Sequence, residues 1–236
     1  MSKDAEQAST LDPAQDRLAA MAVEPIEGGM TIGLGTGRAA SRAIRALARR
    51  VAVEGFKVRC VATSKASEAL ALDLGLHIAD LSQVEAIDYL FDGADEVDPE
   101  MRMLKGRGGA MTREKIAAHA SEACVYMIDD GKLVGMLGEK NPIPVEVLPS
   151  AVAIVRARMR NLGLEGDLRR VDGKQYHTDN GNPVLDLSMA ADVSPEEVAL
   201  LLQDTPGVVG HGIFLDEADE ILIEDAQGEV HQRIRD

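Results

Sequence analysis

The sequence predicts an α/β fold: a mostly parallel sheet with helices, and a smaller α+β domain inserted late in the chain. Three observations carry this. Short apolar runs alternate with helical segments as far as Asp129. Glycines or polar residues follow those runs at the points where a strand hands over to a helix. Near Lys140 the texture changes to prolines and to Asp-Gly and Asn-Gly turn pairs.

The elements follow in order. Asp12-Pro13 opens a first helix, with Asp12 as N-cap, Pro13 at the first helical position and Gln15 at N3. MTIGL (30–34) reads as a strand, and an Ala- and Arg-rich helix runs on to about Val53. KVRCVAT (57–63) is a second strand, and SKASEALALDLG is a helix closed by Gly75. A short strand is expected near His77–Ala79, and IDYLF (87–91) is another strand, ending at Asp92. A helix from about Arg113 to Ser121 precedes the strand ACVYMID (123–129). Strands alternating with helices imply right-handed crossovers and parallel pairing.

Beyond Lys140, PVEVL alternates and reads as a strand. Ser150 is placed as the cap of a helix ending at Gly163. LRRVDGKQYHTDNGNPVLDLS reads as strands joined by tight turns, and Ser194-Pro195-Glu196-Glu197 as a capping box. The division drawn from this texture is 1–140 plus 206–236 for the larger domain and 141–205 for the smaller. Periodicity alone assigns the tail strands to neither.

The totals restrict function. A formal net charge of -15 opposes bulk attraction to nucleic acid. An anionic substrate must therefore be held by a local group of cations and backbone donors. No run approaches the length of a membrane span. The polar start MSKDAEQAST is not a signal peptide, and the two cysteines, Cys60 and Cys124, lie in apolar runs. Buried free thiols in a cytoplasmic protein are the expectation. The five histidines are scattered without zinc spacing, and Asp92, Asp95 and Asp98 do not have calcium-loop spacing, so metal-independent chemistry is expected.

Two segments carry candidate chemistry. In GLGTGRAA (33–40), Gly35-Thr36-Gly37-Arg38-Ala39-Ala40 fits a relaxed dinucleotide fingerprint. The second strand, however, ends in Ala62-Thr63-Ser64 and offers no acid for a ribose. A plain phosphate or carboxylate cradle remains, against the simpler reading of a tight turn that needs glycine. Arg38 favours the anion, because a cation in the first helical turn opposes the helix dipole. The second segment is FDGADEVDPEMRMLKGRGGAMTREKIAA. It gathers Asp92, Asp95, Lys105 and Glu114 around Gly106, Gly108 and Gly109, glycines that permit close backbone approach. Acid, base and cation together are what proton transfer beside a carbonyl needs. The plainer reading is a solvated acidic turn. Asp179-Asn180-Gly181-Asn182 is foremost a hairpin turn, and Lys132 a lysine past a strand end.

GLGTG, DGADEVD, LKGRGGAMTREKIAA, PIPVEVLP, TDNGN and PGVVGHGIF together resemble ribose-5-phosphate isomerase, type A, in order and spacing across about residues 12–225. The resemblance implies a Rossmann-like domain with an inserted ferredoxin-like α+β domain. It implies a cytoplasmic homodimer or homotetramer of the pentose phosphate pathway, acting on a phosphorylated sugar without cofactor or metal, nucleic acid or membrane. The implied reaction interconverts ribose 5-phosphate and ribulose 5-phosphate through an enediolate. By position, Glu114 is then the base, Lys105 the oxyanion stabiliser, and Asp92 and Asp95 the handlers of hydroxyl protons and ring opening. Gly35, Thr36, Gly37, Arg38, Gly106, Gly108, Gly109 and Lys132 fall at substrate-binding positions.

The departures lie at the phosphate end. Arg38-Ala39 stands where the family usually has Ser-Thr, and a phosphate lysine near the N-terminus falls on Gln15 or Asp16, beside Arg17. Arg107 replaces a usual glycine and Asn141 a usual Phe. A guanidinium at 38 can replace the lost hydroxyl donors by binding phosphate through two bonds. An isomerase for another sugar phosphate or an acidic sugar is the alternative reading. A non-catalytic sugar-phosphate-binding module is the alternative of another class.

Overall fold

The computed structural model describes residues 16–188 and 193–235 and divides into two compact units. The first holds the residues up to Gly93, Ile116–Gly131 and the chain from Ala218 onward. The second holds Ala94–Lys115 and Lys132–Glu217.

The first unit is built on a six-stranded sheet. Its strands are β1 (Thr31–Leu34), β2 (Arg59–Ala62), β3 (Tyr89–Gly93), β6 (Cys124–Asp129), β14 (Glu220–Glu224) and β15 (Val230–Ile234). Their order is β15-β14-β6-β3-β1-β2, with every pair parallel except β14 and β15. Helix α1 (Arg17–Val23), helix α2 (Arg38–Glu54) and helix α3 (Lys65–Asp73) belong to the same unit. Leu18, Ala22, Ile44 and Leu47 from α1 and α2 share one buried cluster with Ile32, Leu34, Tyr89, Phe91, Val125, Met127 and Leu222. The strand members fall at every second position. The alternate residues Leu90, Tyr126, Ile128, Ile221 and Ile223 are buried as well, the signature of a sheet enclosed on both faces.

Strand order fixes where this unit presents its loops. From β1 the chain crosses to β2 on one side, and later to β3 on the other. The carboxyl ends of β1 and β3 therefore flank a topological switch point, the place where open α/β sheets bind ligands. The loop after β1 is Gly35-Thr36-Gly37, and the end of β3 is Asp92-Gly93.

The second unit is antiparallel. Strands β7 (Ile143–Val147), β8 (Glu165–Leu168), β11 (Val184–Ser188) and β12 (Val208–His211) form a sheet of order β12-β7-β11-β8. Helix α5 (Val152–Asn161) follows β7, and helix α6 (Pro195–Gln203) precedes β12. This is a βαββαβ chain with its fourth strand beside its first, the ferredoxin-like arrangement. A ribbon of β9 (Arg170–Val171) and β10 (Lys174–Gln175) extends between β8 and β11. A further sheet joins β4 (Glu96–Val97), β5 (Met103–Leu104) and β13 (Ile213–Phe214). Helix α4 (Met111–His119) carries the chain from the second unit into the first.

Several local expectations change on folding. Asp12-Pro13 and Gln15 lie outside the described residues, and the first described helix is capped by Asp16, whose side chain accepts from the Ala19 N–H. The segment near His77–Ala79 forms a single bridge, Ile78 to Cys60, rather than a strand. Ser150 does not cap a helix: Pro149–Ala151 is a 3₁₀ turn, and α5 begins only at Val152, with Ala151 at its N-cap. The turn forms because the Ala151 N–H already donates to the Leu148 carbonyl, which draws Ser150 inside it. The tail divides, with Val208–His211 pairing with β7 and residues 220–234 extending the parallel sheet.

Candidate active site

The sequence-predicted residues fall into two groups, one in each unit. In the first unit, β3 runs through Asp92 and Gly93, which pair with Tyr126 and Met127 of β6. Asp92 is thus a buried residue within β3, which runs one residue further to Gly93. Its Oδ1 accepts the N–H of Thr36 at 2.9 Å and that of Gly93 at 2.7 Å. The Gly35 N–H donates to the Phe91 carbonyl at 2.9 Å. A side chain at Gly35 would run into the Asp92 carboxyl, so glycine there is set by close packing. Gly37 is the N-cap of α2 with φ of 102°, a backbone that glycine adopts at little cost. Arg38, the first residue of that helix, is exposed. The Thr36 hydroxyl lies 2.8 Å from that of Thr63.

At the N-terminal position where the resemblance expects a lysine, Asp16 is committed elsewhere. It caps α1 and pairs with Arg42 at 2.6 Å, and Arg42 also holds Glu224 at 2.9 Å. Arg17 pairs with Glu229.

In the second unit, Lys105 follows β5 and Glu114 lies in the first turn of α4. Their side chains meet, Nζ to Oε2 at 3.5 Å, and they are only 3% and 5% exposed. The Lys105 ammonium also lies 5.6 Å from the centre of the buried Phe214 ring. Its backbone is held against β13, because the Lys105 N–H donates to the Gly212 carbonyl at 2.8 Å. Taking two charges out of water is costly unless they face each other, and this pair does. Asp95 accepts the Arg107 N–H at 2.9 Å, closing the loop that leaves Lys105.

The loop glycines are structural before any ligand is considered. Gly106 has φ of 102°, and a side chain there would meet Pro144 at 2.7 Å and Met111 at 2.9 Å. Gly109 has φ of 74°, with the Tyr176 ring where a Cβ would point. The Gly109 N–H is already used, donating to the Gly106 carbonyl. Lys132, half-buried, ends the 3₁₀ turn Asp130–Lys132.

The sequence did not single out Lys115, His211 or Glu146. Lys115 donates to the Ile213 carbonyl, lies 3.5 Å from His211 Nδ1, and sits 4.6 Å from the Phe214 ring centre. Burial lowers its ammonium to a pKa of about 8. Burial, with the neighbouring Lys115, lowers His211 to about 3. Glu146 is a fully buried carboxylate within β7. The one signal for it was a charged residue inside the otherwise apolar run PVEVL.

A switch-point loop on a doubly wound sheet, together with a buried ammonium–carboxylate pair at a helix start, is the equipment of an α/β enzyme that moves protons next to a polarised oxygen. Residues 59–228 match the family model of ribose 5-phosphate isomerase A (phosphoriboisomerase A). Ribose-5-phosphate isomerase A of Sphingopyxis alaskensis is 43% identical over 211 residues, 89% of this chain and 92% of that protein. The isomerase of Methanocaldococcus jannaschii superposes with a TM-score of 0.87 at 37% identity, over 93% of this chain and 97% of that one. A ribose-5-phosphate isomerase structure in complex with phospho-erythronic acid superposes with a TM-score of 0.88 at 35% identity, over 93% and 97%. The chain belongs to the ribose 5-phosphate isomerase A family.

Proposed function

We propose that Glu114 and Lys105 carry out the interconversion of ribose 5-phosphate and ribulose 5-phosphate in this chain. The observation that carries the assignment is their buried 3.5 Å approach. The Glu114 carboxylate removes the proton on C2 of the open-chain aldose. The electrons move toward the C1 carbonyl, and the negative charge collects on its oxygen, where the Lys105 ammonium stabilises it. The proton then returns to C1, giving the ketose. The C2 hydroxyl proton must leave as the new carbonyl forms, and the C1 oxygen must gain one; Asp95 and Asp92 handle this transfer of a proton from the C2 oxygen to the C1 oxygen and assist ring opening. Each step is proton transfer, and no net oxidation occurs.

The phosphate is assigned to Gly35, Thr36, Gly37 and Arg38, where backbone donors and a helix start favour an anion, and to Lys132. Gly106, Gly108 and Gly109 shape the loop that presents Lys105 to the sugar. Phospho-erythronic acid, bound by the solved relative, is a phosphorylated acid whose planar carboxylate resembles the enediolate. A compound of that shape should bind this chain more tightly than substrate does.

The protein is further proposed to act in the cytoplasm as a homodimer or homotetramer. No helix among the described residues is long and apolar enough to cross a membrane.

The test is turnover of the purified protein on a panel of four- to six-carbon aldose phosphates, with phospho-erythronic acid as inhibitor. Ribose 5-phosphate should be the best substrate, and inhibition should be competitive. Best turnover on another sugar would overturn the substrate assignment.

A further inference from the structure

Glu146 stands in β7 between Val145 and Val147, all three without exposed surface. A carboxylate there is tolerable only if its lone pairs are filled. They are filled by neutral groups. Oε1 accepts the Thr178 hydroxyl at 2.7 Å, the Asn182 amide at 2.8 Å and the Asn180 amide at 3.1 Å. Oε2 accepts the Thr112 hydroxyl, and the Asn180 amide at 3.3 Å. The turn Thr178–Asn182 is thereby tied to the start of α4. Arg113 makes a second tie, its Nε donating to Asn180 Oδ1 at 2.7 Å. The two residues immediately before Glu114 are therefore both fastened to one hairpin turn. Thr112 is also wedged against β12, where a side chain at Gly210 would meet its hydroxyl at 2.5 Å.

The same hairpin region holds the segment that carries Lys105. Arg169 donates to the Gly106 and Arg107 carbonyls at 2.9 Å each, and is itself gripped by Asp186 at 2.6 and 2.9 Å. The Tyr176 hydroxyl donates to the Gly108 carbonyl at 2.9 Å.

We propose that Glu146 is a positioning residue for the isomerisation: by gathering Thr112, Thr178, Asn180 and Asn182, it fixes the first turn of α4 and so the aim of the Glu114 carboxylate. This rests on Glu114 being the base. The 178–182 turn then serves catalysis through Glu146 and Arg113.

Glu146→Gln places an amide NH₂ against groups that need an acceptor. Thr112→Val removes one donor with no change of charge, and Thr112→Ser keeps the hydroxyl. For ribose 5-phosphate, kcat should fall roughly 10–100-fold in Glu146→Gln and Thr112→Val, the scale of a misaimed catalytic group. KM should change little, and the primary isotope effect with substrate deuterated at C2 should rise. Thr112→Ser should restore both values. If the first two variants unfold at lower temperature yet keep wild-type kcat and isotope effect, Glu146 is an anchor only and the proposal is wrong. Should Glu146→Gln fail to fold, the Thr112 pair decides alone. A wild-type protein that does not isomerise ribose 5-phosphate would instead sink the functional reading, and this proposal with it.

Discussion

Two buried carboxylates of the second unit, Glu114 and Glu146, solve the same physical problem in opposite ways. Glu114 faces an ammonium, Lys105, at 3.5 Å. Glu146 faces two hydroxyls and two amides. A carboxylate filled by neutral donors acts by holding those donors in place. A carboxylate opposite a cation sits beside a charge that can also stabilise a developing oxyanion. Burial alone therefore does not mark a catalytic acid or base. The chemistry of the partner does.

The strongest way to break the contrast is to neutralise Glu114. Glu114→Gln should lower kcat about 10²–10⁴-fold with a smaller change in KM, read by steady-state kinetics. Next, Lys105→Ala should cost about 10²–10³ in kcat, the usual loss of an oxyanion donor. It should also leave Glu114 buried without its cation, so circular dichroism must accompany the kinetics. Arg38→Ala touches neither carboxylate. It should raise KM for ribose 5-phosphate several-fold while kcat holds, since phosphate binding is common to ground and transition states. An unchanged KM would remove Arg38 from the phosphate site.

The smallest effect concerns stability rather than rate. His211 is lowered by burial to a pKa of about 3 from an ordinary 6.5. Between those values the unfolded chain binds the proton and the folded one does not. Stability should therefore fall as pH drops from about 6.5 toward 3. His211→Asn should flatten that part of the acid-unfolding curve relative to wild type. Identical slopes in urea titrations would mean that His211 takes no part.

Much of this was legible in the chain. Alternating apolar runs and turn pairs gave the parallel sheet and the antiparallel module, because both patterns are local. The Ser194 capping box formed as read, with Glu197 closing it. The Asp172-Gly173 turn took positive φ at both residues, as a tight hairpin requires. Lys105 and Glu114 stood out because charge beside glycine is conspicuous.

What was not legible depends on distant partners. Nothing near Asp92 says that β3 continues through it, since β6 supplies the pairing. Nothing near Val208 says that it joins β7 while Glu220–Glu224 joins β6. Glu146 looked like one polar position on an alternating strand, because its donors lie more than 30 residues away on both sides.

The most direct test is hydrogen exchange at C2 of ribose 5-phosphate in D₂O, followed by NMR for wild type and Glu114→Gln. Wild type should exchange that hydrogen with solvent during turnover, and the variant should lose the exchange together with ketose formation. Exchange at the wild-type rate in a folded Glu114→Gln protein would place the base elsewhere.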